Sequence, residues 1–123
     1  MVTVETLKEF LEAFNRHDTN AIMGFFADEC VMDLPKGPSP WGRRTIGKEQ
    51  IREGINSRFK GLPDAHYGDD RHFAAGNMGF SKWTLRGTAP SGERVEVCGV
   101  DHLEFNGEGK VIRKNSFWKI VEK

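Results

Sequence analysis

Four strand-like runs in the second half of the chain, divided by short turn signals, constrain the fold more than any other feature. His66–Ala74, Met78–Gly87, Arg94–Phe105 and Val111–Val121 are separated by Gly76-Asn77, Pro90-Ser91-Gly92 and Asn106-Gly107-Glu108-Gly109. Consecutive strands with turns this short pair as an antiparallel meander. A sheet of that kind needs an apolar layer against one face. The first half offers helices for it. Leu7, Phe10, Leu11 and Phe14 fall on one helical stripe, with Thr3 as the expected N-cap and Glu5 in the first turn. His17-Asp18-Thr19-Asn20 interrupts the stripe and opens a second short helix carrying Ile22, Met23, Phe25 and Phe26. Cys30–Leu34 reads as a short strand ended by Pro35, and Lys36–Arg44 as an irregular loop. A third helix is expected from about Lys48 to Lys60, with Ile51, Ile55 and Phe59 on its apolar face and Gly61 and Pro63 as its stop. This order predicts one α+β domain over residues 1–123, its helices packed on one face of a curved sheet.

Charge removes several function classes. The 18 Lys+Arg balance 18 Asp+Glu, so the chain lacks the basic excess of a nucleic-acid binder or a polybasic membrane anchor. No apolar run approaches the roughly 20 residues that cross a bilayer. Met1-Val2-Thr3-Val4-Glu5 lacks the basic and apolar regions of a signal peptide, and the expected location is cytoplasmic. Cys30 and Cys98 belong to no CxxC motif and read as reduced, buried thiols.

The run Arg94–Phe105 is the most informative for chemistry. One face reads Val95, Val97, Gly99, Asp101, Leu103, Phe105; the other reads Glu96, Cys98, Val100, His102, Glu104. If the first face meets the helices, Asp101 is carried inside. A buried carboxyl without a cation nearby stays protonated more readily and can donate a hydrogen bond to an oxyanion. Otherwise Asp101 is held by a neighbour for structural reasons. The next run supplies two candidate neighbours. With Asn106–Gly109 as a four-residue loop, Asp101 lies across from Lys114; with Glu108-Gly109 as a two-residue turn, it lies across from Ser116. The first register gives an ion pair, the second a hydroxyl partner, and the sequence permits both. A buried Lys114 has a further reading as a Schiff-base amine.

His66-Tyr67-Gly68-Asp69-Asp70-Arg71-His72 is dense in polar groups. His66 and His72 sit about 20 Å apart along an ideal strand and cannot share one metal ion without a bend, so no metal is expected. His66, Asp70 and His72 share one parity, and His66 is a candidate for the mouth of a pocket. Trp41, Trp83 and Trp118 are candidates for its aromatic floor. Trp41, in its Pro/Gly loop, is expected to pack down. No phosphate-binding glycine loop and no nucleophile elbow is present.

Phe26-Ala27-Asp28-Glu29-Cys30, the helix start at Gly47–Ile51, and Val100-Asp101-His102-Leu103-Glu104-Phe105 followed by Gly109-Lys110-Val111 resemble the nuclear transport factor 2-like superfamily. That group includes ketosteroid isomerases and SnoaL-like polyketide cyclases. The resemblance spans essentially the whole chain. It implies a cone, in which a strongly curved antiparallel (mixed) sheet wraps three helices and encloses an apolar pocket, and homodimers that pair through the outer sheet face. It places Asp101 at the position of the isomerases' oxyanion-hole aspartic acid, a residue held neutral at pH 7, and it puts Lys114, Ser116 and Trp118 in the pocket. The isomerase tyrosine falls at Phe10, and the base position falls at Leu34. Asp33, beside it, points inward only if a bulge turns it. Limonene epoxide hydrolases of the same fold use a carboxylate where this chain has Ser116. SnoaL-like cyclases run aldol chemistry with an acid–base residue and no cofactor.

Three functions follow as expectations. The first is a cofactor-independent isomerase or cyclase acting on a hydrophobic carbonyl compound through an enolate. Asp101 would hold the oxyanion, with Asp33 or a histidine as base. The second is a binding domain that keeps the pocket without the base. The third is a dimerisation module.

Overall fold

Thr3 starts the first helix by accepting the Thr6 N–H on its hydroxyl at 3.2 Å, which satisfies one of the donors that a helix start leaves free. In the computed structural model, which describes Met1–Lys123, this helix α1 runs Val4–Asn15. Asp18 caps the short α2, Thr19–Gly24, in the same way. The chain continues through β1 (Phe26–Ser39), β2 (Gly42–Ile46), α3 (Lys48–Gly61), β3 (His66–Ala75), β4 (Met78–Thr88), β5 (Arg94–Phe105) and β6 (Val111–Trp118). The six strands form one sheet in the order β2-β1-β6-β5-β4-β3. All neighbours are antiparallel except β1 and β6, which are parallel. This is the expected α+β architecture, three helices against a mixed, mainly antiparallel sheet. No helix is long and apolar enough to cross a membrane.

The α1 stripe is the centre of the core. Leu7, Phe10, Leu11 and Phe14 are buried, and the Phe10 ring lies 5.2, 5.1 and 5.7 Å from the rings of Phe14, Phe25 and Phe26. Spacings in this range favour edge-on aromatic packing. The inner faces of β4 and β5 meet this layer with Trp83, Leu85, Val97, Leu103 and Phe105.

Two irregularities decide which side chains face inward. In β3, pairing with β4 shifts between Gly68 and Arg71, and Asp69 takes a left-handed φ of 53°, a conformation that Asp tolerates better than most residues. The extra residue exchanges the faces of the strand beyond it. In β6, Phe105 pairs with Val111 while Glu104 pairs with Arg113, so Ile112 is left unpaired.

The first β-hairpin differs from expectation. Pro35 does not end β1, and the segment expected as a loop, Lys36–Arg44, is mostly strand. Pro35 and Pro38 fall in the break between the paired Leu34 and Ser39, where no ladder bond needs their missing N–H. Trp41 at the turn does not pack down. It is 50% exposed, with the Arg44 guanidinium 5.0 Å from its ring centroid. The last strand stops at Trp118, short of Val121. Cys30 is buried, as expected, and burial pushes its thiol pKa up. Cys98 is exposed on the outer face.

Candidate active site

Asp101 sits on the inner face of β5, 5% exposed. Ser81 of β4 lies directly across from it on one side and Ser116 of β6 on the other. The Ser116 hydroxyl donates to Asp101 Oδ1 at 2.6 Å, and the Trp83 indole Nε1 donates to Oδ2 at 3.0 Å. Lys114 Nζ stands 3.4 Å from Oδ1 and donates to Ser116 Oγ at 3.0 Å. Of the two registers left open by the sequence, the one with Ser116 across from Asp101 is adopted. The unpaired Ile112 puts Ser116 opposite Asp101, and Lys114, two residues along on the same face, still reaches the carboxylate diagonally. Three donors converge on Asp101, so it acts as an acceptor. That arrangement does not suit the oxyanion-donor role implied by the resemblance. The Lys114 amine is engaged by Asp101 and Ser116, as the ion-pair reading requires.

A cavity of about 40 Å³ adjoins this cluster. At roughly 10–15 Å³ of probe-occupied volume per water it holds a few waters. Lys114, Ser116 and Trp118 of β6, Trp83 of β4 and Tyr67 of β3 line it on the sheet side. Gly54, Ile55 and Arg58 of α3 close the opposite side, with Leu34 and Pro35 of β1 at the rim. The Arg58 guanidinium lies 4.7 Å from the Trp118 ring centroid, and Trp118 meets Trp83 edge-on at 6.1 Å. Gly99 gives the Trp83 ring its place, since a Cβ there would stand 2.5 Å from Trp83 Cη2.

Tyr67 is the residue that sequence reasoning passed over. It is 7% exposed, packs edge-on against Trp83 at 4.9 Å, and its hydroxyl has no protein hydrogen-bond partner. Burial drives the phenol pKa well above its usual range, the negative charge of Asp101 adds to the rise, and Arg58 opposes it. The hydroxyl therefore keeps its proton throughout the working pH range and is a free donor at the cavity. Its signal in the sequence was its parity in β3, opposite to His66, together with its standing as the chain's one tyrosine.

The other candidates lie elsewhere. Asp33 points to the outer face, opposite to Met32 and Leu34, and does not reach the cavity. It is 1% exposed beneath two arginines. Arg44 grips it at 2.8 and 3.0 Å, and Arg113 approaches to 3.4 Å. No bulge turns it inward, because the regular pairing of Val31 to Leu34 with β2 keeps strict alternation. His66 is exposed at the start of β3 and is not at the mouth. Trp41 is not in the cavity itself; it lines a shallow depression beside it, which shares Leu34, Pro35, Ser116 and Trp118 with the cavity. The bulge in β3 brings His72 inward, with its side chain 1% exposed. Its Nε2 meets Asp70 Oδ2 at 2.7 Å and its Nδ1 meets Ser81 Oγ at 2.8 Å. The bond from His72 is the main reason that the Asp70 pKa lies below its ordinary value.

The sequence profile of the SnoaL-like domain matches residues 7–114. The chain belongs to the SnoaL-like family. Solved structures agree on the fold of this SnoaL-like chain. A proposed polyketide cyclase from Xanthomonas campestris superposes with a TM-score of 0.82 at 20% identity, covering 94% of this chain and 88% of that one. The epoxide hydrolase/cyclase-like enzyme SalBIII, which acts in pyran ring formation in the polyether salinomycin, gives 0.79 at 23% identity, covering 94% and 89%. A protein from Catenulispora acidiphila with a ketosteroid isomerase-like fold, in complex with trimethylamine, gives 0.82 at 17% identity, covering 97% and 88%. Within the SnoaL-like frame, Phe10 is packed in the core and has no hydroxyl, and Leu34 brings only methyl groups to the rim. The polar groups at the cavity of this SnoaL-like domain are Tyr67, Arg58, Lys114 and Ser116, with Asp101 behind the last two.

Proposed function

We propose that the chain is a cofactor-independent isomerase or aldol-type cyclase whose cavity takes a small carbonyl compound and stabilises its enolate. The observation that carries this reading is the Asp101–Ser116–Lys114 cluster in the wall of a cavity that the free Tyr67 hydroxyl also lines. The substrate oxygen lies against the Tyr67 hydroxyl and the Lys114 ammonium, both donors where negative charge develops. The α-carbon proton passes to Ser116 Oγ as the Ser116 proton moves to Asp101 Oδ1. In an isomerisation the reverse transfer returns the proton to carbon; in an aldol closure the enolate carbon bonds to a second carbonyl carbon, whose oxygen takes the electron pair and then the proton, so no net charge is gained or lost in either. Asp101 replaces Asp33 as the acid–base group in this reading, and its role changes from oxyanion donor to proton acceptor. Polyketide cyclase and cyclase-like relatives of the same fold support the reaction class.

A second reading, a ligand-binding domain without turnover, is favoured by the small cavity and the methyl groups of Leu34 at its rim. One experiment separates them. Binding of phenol and 4-nitrophenol is measured by thermal shift, and exchange of α-protons of enolisable ketones into D₂O is followed by NMR. A ligand at 100 times its Kd adds about 2.7 kcal/mol, several degrees for a domain of this size. A phenol shift that Tyr67→Phe weakens, with exchange that Asp101→Asn abolishes, is expected. Shift without exchange indicates the binding domain, and a flat response to every phenol refutes both readings.

We also propose that a second copy of the chain covers the outer sheet face. Phe73, Phe80 and Phe117 are exposed there, with a shallow apolar depression at Gly99, Val100 and Phe117. Light scattering is expected to give twice the chain mass, and Phe117→Glu to give the monomer.

A further inference from the structure

Among the arginines that pair with carboxylates are Arg16, Arg44, Arg86 and Arg113. Arg58 pairs with none, although it is half-buried and lines the cavity. Its guanidinium lies over the Trp118 ring, an arrangement that occupies a face of the group and leaves its N–H edge free. That edge is a rigid fork matched to a planar carboxylate. The charge of Arg58 is felt inside the site, because it opposes the rise in the Tyr67 pKa. The charged groups around the cavity are Arg58 and Lys114 against Asp101 alone, an excess of positive charge in a space with restricted solvent. A neutral ligand leaves that excess uncompensated; a monoanion removes it.

We infer that the ligand carries a carboxylate as well as the enolisable carbonyl, with the carboxylate held by Arg58 at the mouth and the carbonyl oxygen at Tyr67 and Lys114. The inference rests on the reading of the cavity as an oxyanion site and adds the substrate class, a small keto acid. Leu34, Pro35 and Trp118 give the ligand apolar contact between its two polar ends. The interior is smaller than such a molecule, so binding lifts Arg58 from Trp118. A cation on an aromatic face near solvent is a weak contact, and the guanidinium exchanges it for a charge-assisted pair.

The test uses three probes with a phenol oxygen in common: 4-hydroxybenzoate, its methyl ester and phenol. Binding to the full chain is followed by tryptophan fluorescence at constant ionic strength, with sodium phosphate as a simple-anion control. The carboxylate is expected to bind at least tenfold tighter than the ester. Arg58→Met is expected to remove that preference, bringing the carboxylate and the ester to within twofold of one another, and Arg58→Lys to restore part of it. If the ester and phenol bind but the carboxylate has no advantage, the inference falls and the oxyanion site stands. An advantage that survives Arg58→Met, or equal protection by phosphate, also overturns it. Failure of all three aromatic probes overturns the inference and the oxyanion reading together.

Discussion

Replacing Lys114 by methionine isolates the term that holds Asp101 in place. Lys114 Nζ is 3.4 Å from Asp101 Oδ1, and the side chains are only 11% and 8% exposed. At an effective dielectric of about 20 that separation corresponds to an attraction of about 5 kcal/mol. Both groups have lost most of their water, and removing one partner of a buried pair typically destabilises by about 3–5 kcal/mol because the other charge is left stranded. Lys114→Met keeps an unbranched apolar stem, one atom shorter, and takes the ammonium away from both Asp101 and the Phe14 ring, so the loss is mainly electrostatic in origin. At about 3–6 °C per kcal/mol for a domain of this length, the melting temperature falls by about 9–30 °C. The second variant, Lys114→Met with Asp101→Asn, is neutral at both positions. It keeps a carbonyl oxygen for the Trp83 N–H and turns an amide N–H toward the Ser116 hydroxyl, which then accepts, and it is expected to recover most of the loss. Urea titrations followed by circular dichroism give the four corners of the cycle, with the m value checking that the denatured state is unchanged. A coupling below about 0.5 kcal/mol means that the two substitutions act independently, and the picture of Lys114 as the cation that secures Asp101 is then wrong.

Three further outcomes are expected. Gly99→Ala puts a Cβ 2.5 Å from Trp83 Cη2 and 2.7 Å from the Phe117 carbonyl; it should cost about 1–3 kcal/mol in urea melts and shift the Trp83 fluorescence maximum, whereas unchanged emission would mean that the ring has room to spare. Asp33→Asn removes the charge held by Arg44 and Arg113, so melting should fall while phenol affinity stays within twofold, and a tenfold loss of affinity would bring Asp33 back into the site. Asp70 titrates below its ordinary value chiefly because of His72, so its contribution is present above the unfolded carboxyl pKa and is lost as pH falls through the lower folded one. Asp70→Asn should therefore flatten the melting temperature against pH in the acid range, below about pH 4, and an unaltered profile there would contradict that assignment.

The helices and the meander were legible because each follows one period without interruption. The α1 stripe and the β5 alternation of Val97, Asp101, Leu103 and Phe105 needed no long-range information, and Asp101, Lys114, Ser116, Trp83 and Trp118 were named from alternation and family resemblance together. What was missed lies wherever one extra residue resets the period. Beyond the bulge at Asp69, His72 turns inward, so parity counted along an ideal β3 gave the wrong face. Ile112 plays the same part in β6: the register with Ser116 across from Asp101 is reached through this extra residue instead of a two-residue turn, and Lys114 is a diagonal neighbour. The hairpin of β1 and β2 was hidden by Pro35 and Pro38, whose usual meaning fails where a ladder is already broken. Arg58 stands beside Phe59 and at helical spacing from Ile51 and Ile55, but an arginine at the edge of an apolar stripe reads as an ordinary surface cation; only the fold brings Trp118 beneath it.

The last strand of the chain lies inside the sheet, third of its six strands. β6 separates the β1–β2 hairpin from the β5–β4–β3 meander, and it carries Lys114, Ser116 and Trp118. Its parallel pairing with β1, where Met32 meets Lys114, closes a loop that contains most of the chain. Such closure is entropically slow and comes late in folding. Until β6 docks, the two halves present raw edges and the cavity lacks the wall that Lys114, Ser116 and Trp118 supply. In hydrogen exchange, the amides that β1 and β5 direct at β6 should open together and only with the loss of β6, as a single cooperative unit. The site is thus completed only by the last strand, since Asp101 gains Ser116 and Lys114 when β6 takes its place.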